Sequence, residues 1–413
     1  MIGNCTHGRA QPPLRHERHR PFPRAQLAAH SAQGSPVKPP TTVPPNLRWL
    51  GALREPQVTL SWSLPQWEHV VRLARRLRLL GRLAESVEAA GLSARVPEPV
   101  ARHLTSEMQY ARWRTGHLLW ALQRLPQQLG AVDYPLVLLK GAAYIGQDLA
   151  IATGRLPSDV DILVPRQHIA DAQARLVAAG WAETELDEHD RQYYHQWSHE
   201  VPPMRHALHG LELDLHHNIL PPIGHAVVDA ALLLARLQDS RWPEWKVLHP
   251  QDQVLHSAAH LFGDSEVRDR VRDLVDLDSL LRDFSSQADF WDGLPDRAEQ
   301  LGLTEPLALA CHFAQAWLQT PIPLAVQQRL AARGPGPVRR AWLLPLLRTV
   351  LMPTEPDDGR SWRQGAAAQI FLTRYHYRRM PLRILLPHLW HKLRAQKAAE
   401  ADPTAAAQAG DKA

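Results

Sequence analysis

Two aspartates stand one residue apart in "GRLPSDVDILVPRQH", Gly154 to His168. Alternate side chains of an extended strand share a face. Asp159, Asp161 and Leu163 therefore point one way, and Val160, Ile162 and Val164 the other. The second face can pack on a core. The first holds two like charges about 6–7 Å apart along the strand; they repel and resist desolvation, and they call for a cation. "LELDLHH" repeats the pattern, with Glu212, Asp214 and His216 opposite Leu211, Leu213 and Leu215. Two neighbouring strands with such faces make an oxygen-rich pocket. Hard divalent cations take these ligands, Mg²⁺ (or Mn²⁺) above all. Two cations about 3.5–4 Å apart can activate an attacking oxygen and stabilise a departing phosphate.

A third stretch, "LLKGAAY" (138–144), ends an apolar run in glycine and opens with small residues. That reads as a strand running into a helix. Backbone N–H groups at such a junction can hold phosphate, and Gly141 lets it approach closely. Lys140 and Arg155 could add positive charge for a polyphosphate. Each feature has a plainer reading. A D-x-D pair alone also suits a solvated edge strand, and a strand–Gly–helix junction alone is common. Their order along the chain is what carries weight: strand–Gly–helix, D-x-D strand, helix, then a strand with a further acid.

The elements that must position these residues follow from periodicity. "PLVLLKG" and "DVDILV" read as strands, "AAYIGQDLA" as a helix, and "RQHIADAQARLVAAG" as an amphipathic helix closed by Gly180. "RHALHGLELDLHH" reads as strand, turn at His209–Gly210, strand. Residues 57–130 carry helical spacing, for example Val70, Val71, Leu73, Leu77, Leu80 and Leu83. Pro97 and Pro99 divide that region. Helical patterns return after about 225. The expectation is an α+β protein: a small mixed β-sheet core flanked by N-terminal and C-terminal helical regions. The boundaries are 1–45 (a disordered, basic, proline-rich tail), 46–130 (helical), 131–224 (the core), 225–373 (helical) and 374–413 (a basic amphipathic segment and frayed end).

Composition limits the function. The 413 residues suffice for two or three domains. No run of about 18 apolar residues marks a membrane span, and no secretory signal is expected at the N-terminus. The two cysteines, Cys5 and Cys311, fall in a tail and a helix, so a disulfide framework is not expected and a cytoplasmic setting is. Residues 1–45 hold six Arg/Lys against one acid, which is the whole +5 net charge. The remainder is neutral, and stable nucleic-acid binding along it is not expected.

"LLKGAAY…GRLPSDVDILV…LELDLHHNI" resembles the polymerase-β-like nucleotidyltransferase superfamily. Within it, the stretch looks like a family of uncharacterised bacterial nucleotidyltransferases. That family carries L-K-G, R-x-x-S-D-h-D-h-L-V and h-[DE]-L-H motifs. The likeness is strong over 135–222 and weaker into "DQVLHSAAHLF…VRDLVDLDSLL". It implies that Asp159 and Asp161 are paired metal ligands. Asp214 would be the third carboxylate, as general base or further ligand, preferred over Glu212 because the D-L-H spacing fits. Gly141 would be the phosphate-loop glycine. Ala142 stands where the wider superfamily has a serine, which Ser158 and Arg155 could offset.

The resemblance implies Mg²⁺-dependent transfer of a nucleoside monophosphate, AMP from ATP (or another NTP). The acceptor would be a hydroxyl of a small molecule, saccharide or protein. The alternative is a nucleotide-binding or scaffold protein of weak activity. Ala142 favours that alternative, and three intact carboxylates oppose it.

Other residues stay open. His216 points with Asp214 and could orient it or touch substrate. His256 and His260, at i and i+4, could be zinc ligands or simply line a cleft. Arg268, Arg272 and Asp276 share a helical stripe. Arg272 could meet phosphates and Asp276 the acceptor, or the stripe could be a surface salt-bridge ladder. Residues 374–397 could lie on an anionic membrane surface, but Pro381 and Pro387 break the face and favour docking on the body.

Overall fold

Strand β2 (Val160–Leu163) is buried at every position. It lies at the centre of a seven-stranded mixed sheet in the computed structural model of the protein. The structure describes residues 43–185, 194, 197–222, 227–263, 267–356 and 359–379. The described residues fall into one compact unit. All but the last three residues of the expected 1–45 tail lie outside the described residues, as does the chain after 379.

The other strands are β1 (Val137–Leu138), β3 (Trp181–Glu183), β4 (Met204–His206), β5 (Glu212–His216), β6 (Gln238–Asp239) and β7 (Lys246–Val247). Their order is β3-β4-β5-β2-β1-β7-β6. β2 runs parallel to β5 and antiparallel to β1. β4 and β5 form the expected hairpin around Gly210. β6 and β7 extend the sheet past residue 224, where the sequence reading has helices returning; β7 adds to β1 in parallel.

The helices are α1 (Leu64–Arg76), α2 (Leu80–Ala89), α3 (Glu98–Leu129), α4 (Lys140–Gly146), α5 (Ile169–Ala178), α6 (Ala230–Leu234), α7 (Pro250–Gly263), α8 (Val271–Phe284), α9 (Phe290–Gln300), α10 (Thr304–Leu318), α11 (Leu324–Arg333), α12 (Pro337–Leu351) and α13 (Trp362–Arg379). α1 starts with a reciprocal Ser63–Gln66 capping box. Pro97 and Pro99 stand at the start of α3, where a missing N–H costs nothing. α8 begins at Val271, so Arg268 lies in a turn and not on the helical stripe. Among the described residues, no helix is long and apolar enough to cross a membrane.

Long-range bonds tie the two helical regions to the sheet. The Trp245 indole N–H, beside β7, donates to the Leu122 carbonyl of α3 at 2.9 Å. Arg297 of α9 grips Asp252 of α7 through Nε at 2.7 Å and Nη2 at 2.9 Å, with Asp252 fully buried. Gly154, at the head of the aspartate motif, meets Gly81 of α2 backbone to backbone. A Cβ on either would collide with the other's carbonyl oxygen, and Gly154 also has φ +70°. This contact anchors the loop that leads into β2.

Candidate active site

The parallel register of β2 and β5 sets Asp161 directly opposite Asp214. The apolar neighbours on both strands are buried in the core, so the carboxylates emerge on one common face. Asp161 is 2 % exposed, yet it is charged. Burial favours its neutral form, but the Lys140 ammonium and the His216 hydrogen bond outweigh that and hold its pKa well below the usual carboxylate range. Lys140 Nζ donates to Asp161 Oδ1 at 2.7 Å, and His216 Nε2 lies 3.2 Å from the same oxygen. His216 Nδ1 is 3.2 Å from Glu200 Oε2, without hydrogen-bond alignment. Burial opposes the His216 imidazolium, but Asp161 and Glu200 outweigh it and raise its pKa.

Asp214 goes the other way. Burial, and then the charge of Asp161, push it up to about 7. Lys140 and His216 hold Asp161 charged, and that charge in turn disfavours ionisation of Asp214. Ligand atoms of Asp161, Asp214 and His216 all lie within 4.8 Å of one another. Two oxygen donors, one of them resisting ionisation through burial and the other's charge, form a donor set that a divalent cation fits. Glu200 and His199 form a second such group with His216. Asp159 accepts from Ser158 Oγ at 2.8 Å and lines the same cavity, but is not among the ligand atoms gathered within 4.8 Å.

The cavity holds about 780 Å³ and also admits Lys140, Gly141, Arg155, Ser158 and Arg272. Lys140 opens α4 with φ +44°, an uncommon conformation for a side-chain-bearing residue. Over Gly141 lies the Arg155 guanidinium; a Cβ on the glycine would stand 2.7 Å from Arg155 Nη1. Arg155 Nε donates to Asp276 Oδ2 at 3.0 Å, and its guanidinium lies 5.5 Å from the centre of the Tyr144 ring. Asp276 is therefore a buried partner of Arg155 that also lines the cavity, in place of a surface ladder with Arg272. Arg272 donates through Nε to Asp273 at 3.3 Å; its Nη1 is buried with no hydrogen-bond partner among the described residues.

Two expected site residues stand apart. Ala142 is fully buried in the core and does not line the cavity. A serine here would put its hydroxyl into the core, which accounts for the alanine. Glu212 is exposed at the start of β5, in register with Arg205 of β4, and is also outside the cavity lining.

Several residues of the site escape sequence reasoning. Arg114 of α3 clamps the loop before β2, donating to the Pro157 carbonyl at 2.9 Å and the Ser158 carbonyl at 2.7 Å. Glu200 arrives through an isolated bridge to His216. Glu305 of α10 and Arg374 of α13 line the cavity from its helical side. His256 and His260 also line it. Burial, with Lys140 nearby, lowers His256 to about 3 and His260 well below the usual value, so both are neutral imidazoles. They belong to no metal-like group among the described residues.

A family model described as "Uncharacterised nucleotidyltransferase" matches residues 63–319. No curated protein and no solved structure matches the chain.

Proposed function

Because the chain belongs to the uncharacterised nucleotidyltransferase family, we propose that it transfers a nucleoside monophosphate from a nucleoside triphosphate, ATP in the first instance, to a hydroxyl group. The observation that carries the reading is the Asp161–Asp214 pair, in register on adjacent strands at the wall of a cavity of about 780 Å³.

Asp159, Asp161 and Asp214 would hold Mg²⁺ (or Mn²⁺), which supplies charge neutralisation for the triphosphate and its pyrophosphate product. Lys140, Arg155 and Arg272 line the same cavity as Gly141 and would offer cationic donors to the phosphates. Asp214, which faces the cavity beside Asp161, would also take the proton of the acceptor hydroxyl. The acceptor oxygen then bonds to the α-phosphorus, the bond from that phosphorus to the α,β-bridging oxygen breaks, and pyrophosphate leaves. His216 holds Asp161 in place, and the neutral His256 and His260 can hydrogen-bond to substrate without adding charge. A triphosphate substrate and the free thiol of Cys311 both suit the cytoplasm.

One observation favours a second reading. The Lys140 ammonium already sits on Asp161, so a protein that binds nucleotide without metal, and with weak chemistry, would need no other change.

The test uses purified protein, Mg²⁺ and cell extract with ATP labelled at the α- or the γ-phosphate. Label leaving the α position for a new species, with release of pyrophosphate, is the expected result. Transfer from the γ position alone would overturn the mechanism. Nucleotide binding that survives EDTA, with no transfer, would move the assignment to the second reading.

A further inference from the structure

Next to the aspartate pair lies a second donor set, of which the chemistry above uses only His216. An antiparallel bridge sets Glu200 directly opposite His216 of β5, and residues so opposed place their side chains on one face. The backbone around them is pinned to β5. The His199 carbonyl accepts from His217 N–H at 2.8 Å, and Val201 N–H donates to the Leu215 carbonyl at 3.0 Å. Donor atoms of His199, Glu200 and His216 all lie within 4.8 Å of one another. His199 and Glu200 line the cavity, and the His216 side chain beneath them is 1 % exposed.

The two nitrogens of His216 have different tasks. Nε2 stands 3.2 Å from Asp161 Oδ1, an oxygen that already accepts from Lys140 at 2.7 Å, so Nε2 is a donor. In a neutral ring the lone pair is then on Nδ1. Nδ1 is buried without a hydrogen-bond partner among the described residues, although Glu200 Oε2 lies 3.2 Å away. A lone pair that close to a carboxylate oxygen is repelled unless a cation lies between them. A proton on Nδ1 would serve if it pointed at Glu200, but the two atoms are not aligned for that. Two ligands of one metal ion are close and misaligned for a plain reason: each aims its lone pair at the ion and not at the other. Around a tetrahedral Zn²⁺, with bonds of about 2.0–2.1 Å, neighbouring donor atoms stand about 3.4 Å apart. Here Glu200 Oε2 is 3.2 Å from His216 Nδ1 and 3.9 Å from His199 Nε2. Two imidazoles with one carboxylate suit Zn²⁺ better than Mg²⁺. A ligand histidine commonly donates its other N–H to a carboxylate, and Asp161 receives that bond.

We propose that His199, Glu200 and His216 form a Zn²⁺ site, separate from the carboxylate site for Mg²⁺ and joined to it by the His216–Asp161 hydrogen bond. The ion would hold His216 in the tautomer that donates to Asp161. The site does not depend on the nucleotidyl-transfer reading.

The full chain, stripped with EDTA and dialysed into excess Mg²⁺, is titrated with Zn²⁺ by calorimetry. A tight event of one Zn²⁺ per chain is expected, and weaker events at other histidines would be common to every variant. Glu200→Gln removes the anionic ligand and should weaken the tight event by roughly tenfold or more, since even outer-shell changes cost that much. His199→Gln should do the same, which keeps the test decisive where Glu200→Gln does not fold. Asp214→Asn should leave the event within about threefold, because that carboxylate is not in the set. The absence of tight Zn²⁺ binding in Mg²⁺, or a tight event unchanged in both Glu200→Gln and His199→Gln, overturns the site. A loss in Asp214→Asn as large as in Glu200→Gln assigns the zinc to the carboxylate pair and also overturns a separate site.

Discussion

Replacing Asp214 with asparagine should stabilise the metal-free protein, and more so as pH rises. Burial and the Asp161 charge lift the Asp214 pKa from the ordinary 3.8 to about 7. A carboxyl whose pKa is raised on folding favours the fold while it is protonated. That contribution is complete below about pH 4 and is lost as pH climbs through about 7. At about 1.4 kcal/mol per pH unit, the wild-type protein forfeits about 2 kcal/mol by pH 5.5 and about 4 kcal/mol above pH 8. Asp214→Asn keeps the shape and never charges, so it escapes this loss. Groups away from this cluster titrate alike in both proteins, so the difference between their melting temperatures reads Asp214 together with the neighbours coupled to it. The assay is thermal melting in EDTA from pH 5.5 to 8.5. The variant should melt higher, by a margin that grows with pH. Added Mn²⁺ should then raise the wild type, by about 2.7 kcal/mol at a hundredfold excess over Kd, and leave the variant nearly unmoved. A variant that melts below the wild type throughout, or a margin that does not grow with pH, would refute the claim that burial and the Asp161 charge raise the Asp214 pKa.

Lys140→Met strips Asp161 of its closest cation and should cost about 3–5 kcal/mol in EDTA; Mn²⁺ should then produce a larger rise in melting temperature than in the wild type. Ala142→Ser, which restores the residue of the wider superfamily, should lower stability by about 1–3 kcal/mol through a buried hydroxyl and should not raise the rate of α-label transfer. Arg297→Met leaves the fully buried Asp252 without its bidentate partner and should cost about 3–5 kcal/mol by urea unfolding, with part of that recovered in the double variant Arg297→Met/Asp252→Asn.

The sequence made legible what depends on local period. The acidic faces of β2 and β5, the closure of α5 at Gly180 and the turn at Gly210 all stand where alternation and turn chemistry put them. β6 and β7 were not legible, because two-residue strands carry no period. The stripe Arg268–Arg272–Asp276 shows a different limit. Helical spacing put Asp276 beside Arg272, but a stronger partner, Arg155, comes from 121 residues away and is buried with it. Glu200, Arg114 and Arg374 reach the site the same way, by contacts that no local spacing announces. Glu212 and Asp214 share a face by parity, yet only the one deeper along β5 reaches the cavity. Parity assigns a face, and where the strand emerges from its neighbours decides which residues on that face are used.

The Arg155–Asp276 pair also ties the loop before β2 to the second helical region. Arg155 leaves the loop before β2, covers Gly141 at the head of α4, and ends on α8. The backbone that would face a triphosphate is thus held from above by a helix of the second helical region. Arg114 of α3 holds the same loop from the first. A sheet cut out at residues 131–224 would keep Asp159, Asp161 and Asp214 but lose both clamps on the loop that carries them. The matched span, 63–319, includes α3 and α8 along with the strands. Both helical regions thus hold the loop that carries the aspartates, and a piece of the chain limited to 131–224 is expected to lose Mn²⁺ binding that a piece spanning 43–379 keeps, as read by calorimetry.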